Sequence, residues 1–343
     1  MPYRKTLVVA VAATVVLAGA GCGIRSAAAP AKQQLVFYSA QGYDKAEAAA
    51  FQKATGIQVK LDDTSTGPLI AKVEAERSNP RWDVIWFDGN GPIYALDQQH
   101  LLLQHWLPAA AKNYTSLGRS LLPPGDGYYP TGVTAAAAIA YNTKLVPASQ
   151  APATWHDLLK PFFRGAVAMN NPAISGPTYP FVAGILHRMG AKKGDAFFQD
   201  LKANGLKIYP TNGHTLKALV TGAVKVAMFQ DSAETKAMVT GDPVRIVYPP
   251  AGVTMLPSDM AINAHAPDLA AAKQFVQFVL SPAGQRIMLT EGGGDSYFNP
   301  LIKGEKPNPA RPQQGITWQN VPVAWQAAKM NGIQKWFLDH ITR

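Results

Sequence analysis

The fold is decided near the start of the chain, where residues 35–88 read LVFYSAQGYDKAEAAAFQKATGIQVKLDDTSTGPLIAKVEAERSNPRWDVIWFD. Apolar runs, alternating residues and Ala-rich helical stretches follow one another in this segment. They predict strands at Leu35–Tyr38, Ile57–Leu61 and Asp83–Phe87, and helices at Asp44–Thr55 and Pro68–Arg77. The order strand, helix, strand, helix, strand is typical of a parallel sheet covered by helices.

A second alternation of strands and helices begins after Asn142 and predicts a second α/β lobe. Its strands are predicted at Gly165–Met169, Lys207–Tyr209, Val224–Phe229 and Val244–Tyr248, and its helices at Thr178–Met189, Asp195–Ala203, His214–Val220 and Ala233–Val239. A further strand at Ser258–Asn263 and a helix at Leu269–Leu280 follow this lobe. The last helix returns to the first lobe, so the chain crosses between the lobes twice. Two crossings predict a hinge, with a ligand cleft where the strand carboxyl ends meet.

These patterns give a division of the chain into lobes. We expect lobe 1 to hold residues 34–133 and 260–305, lobe 2 to hold residues 134–259, and residues 306–343 to form helices packed on the lobes. A length of 343 residues is enough for two domains. Hydrophobic residues at 47% and charged residues at 16% are typical of a folded globular protein.

The first residues have the layout of a signal peptide over residues 1–21. Arg4 and Lys5 precede an uncharged apolar run, Leu7–Ala20, which is shorter than the roughly 20 residues that a helix needs to cross a bilayer. Residues 22–33 are rich in Ala and polar groups, which suits a tether. We expect the protein to be exported.

Cys22 is the only cysteine and follows the apolar run directly, so it is the candidate for lipidation as the first mature residue. A lipid on Cys22 would anchor the protein to the membrane. The alternative is cleavage by an ordinary signal peptidase near Ala29–Ala31, which would release a soluble protein. Both alternatives export the chain to the periplasm or the cell surface.

The net charge of +10 falls to +8 when Arg4 and Lys5 leave with the signal peptide. No run of Lys and Arg is longer than two residues, and basic residues do not alternate with aromatic ones. The charge therefore predicts a solvated basic surface, compatible with a bias toward anionic ligands, and no nucleic-acid partner.

A series of segments resembles family 1 extracellular solute-binding proteins, in their ferric-iron and 2-aminoethylphosphonate branch. The segments occur in the family's order from about Gln34 to Arg286: Leu35–Ala40, Phe51–Ile57, Ser65–Gly67, Asn79–Trp86, Ala140–Lys144, Pro152–Leu158, Asn171–Gly176 and Leu280–Gln285. The resemblance implies an α/β chain with the type II periplasmic-binding-protein fold and an ABC permease as partner. We expect a monomer that binds a small molecule, and the resemblance does not fix which one.

Two short polar segments are predicted to bind an anionic part of the ligand. Ser65, Thr66 and Gly67 lie between a strand end and a helix start, where free amides and hydroxyls attract phosphonate, phosphate or carboxylate. Ser175, Gly176 and Thr178 repeat this arrangement in lobe 2, although Pro177 stands where relatives commonly have Thr. The alternative for both segments is plain helix capping.

Other candidates follow strand ends or begin a helix near the cleft. They are Ser39, Gln41, Asp88, Asp231, Ser232 and His214. In a site for an anion, the carboxylates of Asp88 and Asp231 are best explained as partners for an ammonium group or hydroxyls of the ligand. Their alternative is helix capping, and that of His214 is a capping or surface role.

The predicted function is the binding component of an ABC importer for a small polar, anionic solute such as an aminophosphonate or a phosphorylated compound. Ferric-iron binding is the alternative, disfavoured because iron-binding relatives carry two tyrosines where this chain has Phe229–Asp231. A binding subunit that feeds a sensor kinase is a second alternative. We expect no cofactor, no metal and no enzymatic activity, since motifs for a nucleophile elbow, phosphate loop, zinc site or dinucleotide site are missing.

Overall fold

The computed structural model describes Met1 and residues 33–343. Twelve strands are β1 Gln34–Ser39, β2 Gln58–Asp63, β3 Val84–Asp88, β4 Tyr129–Ala135, β5 Ala138–Asn142, β6 Val167–Asn170, β7 Lys207–Tyr209, β8 Val226–Phe229, β9 Val244–Val247, β10 Val253–Ile262, β11 Asn299–Pro300 and β12 Trp318–Gln319 within residues 33–343. The predicted signal peptide, Cys22 and the tether up to residue 32 lie outside the described residues.

Eleven α-helices lie between these strands in the described part of the chain. They are α1 Asp44–Thr55, α2 Thr66–Ala75, α3 Asn90–Gln98, α4 Ser116–Ser120, α5 Thr178–Met189, α6 Ala191–Ala203, α7 Asn212–Val220, α8 Asp231–Val239, α9 Leu269–Val279, α10 Pro282–Glu291 and α11 Val323–Phe337. Short 3-10 turns cover Ala109–Asn113, Ala148–Gln150, Trp155–Leu159 and Pro161–Phe163, and Leu338–Thr342 continues α11 as a wider helical turn. No helix within residues 33–343 is both long and apolar enough to cross a membrane.

The larger of two sheets forms lobe 1, with strand order β2-β1-β3-β10-β4-β11 and β12 paired with β10. Strands β1, β2 and β3 are parallel, whereas β10 is antiparallel to both β3 and β4. Leu35 and Phe37 of β1 pack into one apolar cluster and Tyr38 into another, on the opposite face. This alternation buries both faces of the sheet under helices.

The smaller sheet forms lobe 2 and repeats that arrangement in the order β7-β6-β8-β5-β9. Strands β6, β7 and β8 are parallel, and β5 is antiparallel to β8 and β9. Each sheet thus contains an antiparallel strand that directly follows a crossing of the chain from the other lobe. Strand β5 of lobe 2 follows β4 of lobe 1, and β10 of lobe 1 follows β9 of lobe 2. The two predicted crossings are confirmed, at residues 136–137 and 248–252.

Strand β10 runs through the boundary that the sequence predicted between residues 259 and 260. Its first residues, from Val253 onward, pair with β12 and β4 of the larger sheet. Pro257 hid this strand, because proline inside a strand reads as an interruption. The register between β10 and β4 shifts between Ser258 and Asp259. Such an irregularity changes the direction in which the neighbouring side chains point.

Helices α1, α5 and the strand β7 have the predicted bounds, and the other predicted elements of both lobes are present with ends shifted by a few residues. The C-terminal segment forms a single long helix, α11, where several were expected. Its residues Met330, Ile333 and Phe337 join the core of lobe 2, while Gln326 contacts Gly91 of lobe 1. The helix therefore spans the junction between the lobes.

Candidate functional site

A cavity of about 330 Å³ lies between the two lobes, at the carboxyl ends of their parallel strands. This size falls in the range typical of sites for small molecules. Its lining comes from both lobes and consists of Ala40, Gln41, Gly42, Asp44, Lys45, Asp63, Thr64, Ser65, Thr66, Asp88 and Asp295 of lobe 1, and Ser175, Gly176, Pro177, Thr211, Asn212, Gly213 and Gln230 of lobe 2. Strand ends of β1, β2, β3, β6, β7 and β8 bring these residues together.

Asp88 is the centre of the polar network in the cavity. Gln41 donates its amide to Asp88 Oδ1 at 3.0 Å, Gln230 of lobe 2 donates to Oδ2 at 3.2 Å, and the hydroxyl of Ser258 also donates to Oδ1. Burial raises the pKa of Asp88, and these three donors oppose the rise. The hydrogen bond from Gln230 joins the two lobes through a residue that lines the cavity.

Helices α2 and α7 begin at the cavity and bring first-turn amides to it, although in α2 Gly67 donates its N–H to Ile174 and Pro68 has none. Helix α2 starts at Thr66 after Ser65, whose side chain makes no capping hydrogen bond. Helix α7 starts at Asn212 after Thr211, which also makes none. Amides of a first helical turn lack acceptors within the helix and carry partial positive charge, which favours an anionic group nearby.

Lobe 1 and lobe 2 touch beside the cavity at two glycines. The backbone N–H of Gly67 donates to the carbonyl of Ile174 at 3.1 Å, and a Cβ on Gly67 would lie 2.0 Å from the carbonyl oxygen of Ala173. A Cβ on Gly176 would lie 2.4 Å from Thr66 Oγ1. Both positions require glycine for the lobes to approach this closely.

The structure brings six of the predicted ligand residues to the cavity wall: Gln41, Ser65, Thr66, Asp88, Ser175 and Gly176. Ser39 lies just beneath the wall, where its hydroxyl accepts the N–H of Gln41 at 3.2 Å. Gly67 uses its N–H for the contact between the lobes. Their roles in ligand binding stay predictions.

Four other predicted residues do not line the cavity. Thr178 is buried in the first turn of α5, where its N–H donates to Ser175, and Ser232 is buried with a hydroxyl that has no hydrogen-bond partner among the described residues. His214 is exposed, and its Nδ1 lies 2.9 Å from the hydroxyl of Thr211. At this helix start, the cavity is lined by the three residues before His214, which are Thr211, Asn212 and Gly213.

Asp231 is the fourth, and the contacts of its side chain all come from within the protein. Arg311 donates to Asp231 Oδ2 at 2.8 Å, and both side chains are completely buried. The N–H of Ala135 donates to Oδ1 at 2.9 Å, and the hydroxyl of Tyr248 donates to Oδ2 at 3.0 Å. Asp231 begins α8 and joins the two crossing segments, and its expected role in ligand binding stays a prediction.

Most of the charged groups at the cavity are not among the residues predicted from the sequence. Asp44 in the first turn of α1 looked like an ordinary helix-start acid, and Asp295 lies in a Gly-rich loop without a recognisable motif. Burial, and then the neighbouring Asp63, raise the pKa of Asp44 to about 6. Burial, and then Asp88, raise the pKa of Asp295 to about 7. Gln230 could have been found, because it directly follows β8.

Known proteins are similar to this chain in sequence. A periplasmic protein of Salmonella paratyphi A, proposed to bind 2-aminoethylphosphonate, is 25% identical over 242 residues, covering 69% of this chain and 68% of the relative. A proposed ABC transporter periplasmic-binding protein of Sinorhizobium fredii is 26% identical over 252 residues, covering 71% and 68%.

A solved structure confirms the fold. The periplasmic binding protein AfuA from Actinobacillus pleuropneumoniae, with fructose-6-phosphate bound, superposes with a TM-score of 0.81 at 19% identity, covering 91% of this chain and 99% of that one. The predicted type II periplasmic-binding-protein fold is therefore confirmed.

The model of the family described as bacterial extracellular solute-binding protein matches residues 46–314, most of the folded chain. With the matching fold and the cavity between two hinged lobes, this match shows that the chain belongs to the bacterial extracellular solute-binding proteins.

Proposed function

We propose that this protein is the solute-binding component of an ABC importer, which captures a small polar solute between its lobes and presents it to a permease. The observation that carries this proposal is the cavity lined by strand ends of both lobes, with Gln230 of lobe 2 hydrogen-bonded to Asp88 of lobe 1. A solute that contacts both lobes stabilises their closed arrangement and shifts the hinge equilibrium. The name of the Sinorhizobium fredii relative supports the importer as partner.

The solute we propose is a small acid that also carries an amine or hydroxyls, such as an aminophosphonate or a phosphorylated compound. Ser65, Thr66 and the first turn of α7 offer hydroxyls and helix amides for the acid group. Asp88 offers acceptor oxygens for donors on the solute. The relatives named for 2-aminoethylphosphonate and the structure with fructose-6-phosphate support this class.

We further propose that the mature protein is a monomer held at the membrane by a lipid on Cys22, and that it binds its solute without converting it. The lipid is tested by the mass of the protein from membranes, compared with a Cys22→Ser variant. A lipid-bearing mass for the wild-type chain alone supports the anchor, and a mass that starts beyond residue 22 contradicts it.

The solute class is tested by a thermal-shift screen of the mature protein. A ligand that binds only the folded chain raises the temperature midpoint of unfolding. When the free ligand concentration is a hundredfold above Kd, the ligand adds about 2.7 kcal/mol to the free energy of unfolding. The probes are phosphonates, phosphorylated metabolites, amino acids, polyamines, thiamine and ferric salts. We expect shifts with phosphonates or phosphate esters, reduced in a Ser65→Ala variant. A shift with ferric salts alone would refute the proposed class.

A further inference from the structure

The cavity carries more negative charge than a site for a simple anion should have. Four aspartates from four elements line it, while Lys45 is the only lysine or arginine among its lining residues. Lys45 is already engaged, since its Nζ lies 2.8 Å from Asp63. The other three aspartates, Asp44, Asp88 and Asp295, have no ion-pair partner within residues 33–343, and we call these three the acidic wall.

Asp44 shows that the acidic wall is incomplete without a ligand. Its side chain lines the cavity, the residue is 2% exposed, and Oδ2 has no hydrogen-bond partner among the described residues. A buried acceptor left in this condition costs about 1–3 kcal/mol. Such a group is expected where a bound molecule supplies the missing donor.

The other two members have neutral partners only. Asp295 accepts the N–H of Gly42 at 2.6 Å, and Asp88 accepts amide and hydroxyl hydrogens from Gln41, Gln230 and Ser258. These donors orient the carboxylates without supplying positive charge. Burial, and then a neighbouring carboxylate, raises the pKa of Asp44 and of Asp295, and the second cause agrees with this surplus of acids.

We propose that the acidic wall is the subsite for a cationic group of the solute, an organic ammonium, and that Asp44 and Asp295 determine this specificity. The inference rests on the proposed function and narrows its solute class. The solute is an acid that also carries an amine, such as an aminophosphonate, and not a phosphorylated polyol. A hydroxyl supplies one hydrogen bond and no charge, whereas an ammonium group supplies three donors and a positive charge.

A bare metal ion is a poorer occupant of the acidic wall. Within the part of the chain that the structure describes, no three or more His, Cys, Asp or Glu side chains are grouped so that they could hold a metal ion. Hard cations bind six or more oxygens at short, fixed distances, whereas an ammonium group accepts acceptors spread around a wider site. Because the carboxylates of the acidic wall do not form such a group, the wall favours an organic cation.

The test is calorimetric titration of the mature protein with 2-aminoethylphosphonate, 2-hydroxyethylphosphonate and ethylphosphonate, which differ only in the group that meets the acidic wall. We expect 2-aminoethylphosphonate to bind at least tenfold more tightly than either amine-free acid. Equal or tighter binding of an amine-free acid overturns the inference while leaving the proposed function intact. Failure of all three to bind also overturns the inference and leaves phosphorylated compounds as the solutes of the proposed function.

The specificity residues are tested with Asp44→Asn and Asp295→Asn, each of which keeps the shape of the side chain. We expect each variant to lose at least tenfold affinity for 2-aminoethylphosphonate and to keep its affinity for ethylphosphonate. Asp62→Asn is the matched control, because Asp62 lies in the same strand as Asp63 but outside the cavity, paired with Lys72. An unchanged ratio between the two ligands in both cavity variants would overturn the assignment.

Discussion

Asp231 and the acidic wall both lie near the junction of the lobes, and they differ in the source of their partners. Asp231 has a cation, Arg311, and every contact around it comes from the protein: the N–H of Ala135 and the hydroxyl of Tyr248 complete the set. The acidic wall has no cation, and Asp44 keeps an oxygen without a hydrogen-bond partner among the described residues. Asp88 of the acidic wall ends β3 and Asp231 lies two residues after β8, so strand ends position one aspartate of each kind.

The difference separates a structural carboxylate from one that is available to a ligand. Asp231 holds Ala135, just before the first crossing, and Tyr248, just after β9, so its ion pair fastens the two hinge segments. Arg311 is fixed in turn, because it donates to the carbonyl of Tyr297 at 2.5 Å and to Asn299 at 3.1 Å. The wall acids face a cavity instead, where a solute can supply the positive charge.

Removing Arg311 should leave Asp231 without a cation, which is the condition of the acidic wall. Arg311→Met leaves the charge of Asp231 buried without compensation, and we expect the free energy of unfolding to fall by about 3–5 kcal/mol. Urea denaturation measures the loss. The double variant Asp231→Asn, Arg311→Met should recover part of it, since the uncompensated charge is gone.

The control for Arg311→Met is Lys335→Met, which breaks the exposed pair between Lys335 and Asp339. We expect that change to leave the free energy of unfolding nearly unaltered, because solvent screens exposed pairs. If Arg311→Met costs no more than this control, the ion pair of Asp231 has no structural role and the comparison collapses.

A buried acid without any partner should destabilise the fold, and Glu47 of α1 tests this. Both oxygens lack hydrogen-bond partners among the described residues, and burial raises the pKa of Glu47 to about 9. Since the folded chain then binds a proton that the unfolded chain releases above about pH 4.5, stability falls as pH rises from about 4.5 to 9. Glu47→Gln should remove this loss and raise stability at pH 8 by up to about 5 kcal/mol, since about 3.5 pH units separate pH 8 from the unfolded-state pKa and each is worth about 1.4 kcal/mol.

Urea denaturation of Glu47→Gln at pH 5 and pH 8 measures this effect. We expect a smaller difference between the two pH values than in the wild-type chain. The control is Glu74→Gln, the same change at an exposed position of α2, which should leave the pH dependence unaltered. A variant Glu47→Gln that is no more stable than wild type at pH 8 would show that an unpartnered acid is tolerated here without cost.

We expect closure of the lobes to affect ligand affinity at the cavity and to leave the ion pair between Asp231 and Arg311 unaltered. In Gly67→Ala the new Cβ would lie 2.0 Å from the carbonyl of Ala173, so the lobes cannot approach as they do here. We expect affinity for 2-aminoethylphosphonate to fall about tenfold, which is about 1.4 kcal/mol. The free energy of unfolding should not fall, because alanine is favoured over glycine within a helix.

Calorimetric titration and urea denaturation of Gly67→Ala provide these two measurements. Gly332→Ala is the matched control, since a Cβ at Gly332 of α11 would meet open space. Unchanged affinity in Gly67→Ala would mean that ligand binding does not require the contact between Gly67 and lobe 2.

The fold was largely predictable from the sequence because its strands and helices carry their own periodicity, as in β1 and α1. Strand β10 was only partly found, since Pro257 interrupts its pattern and its pairing partners lie far away in the chain. The long helix α11 was expected only as unspecified helices.

The candidate site was predicted where it follows strand ends, as for Gln41 and Asp88. Asp231 and Gln230 are neighbours after β8, and periodicity alone does not say which of them faces the cavity. The position of Arg311, 80 residues further along the chain, decides it. Asp295 reaches the cavity from a loop after α10, and local sequence carries no signal for such a contact.

The central claim is that an amine-bearing acid binds between the lobes with its ammonium group on the acidic wall around Asp88. The most direct test is calorimetric titration of 2-aminoethylphosphonate into the mature wild-type protein and into Asp88→Asn. We predict one binding site in the wild-type protein and at least a tenfold loss of affinity in the variant, with the variant still folded. Equal binding in both proteins would contradict the claim.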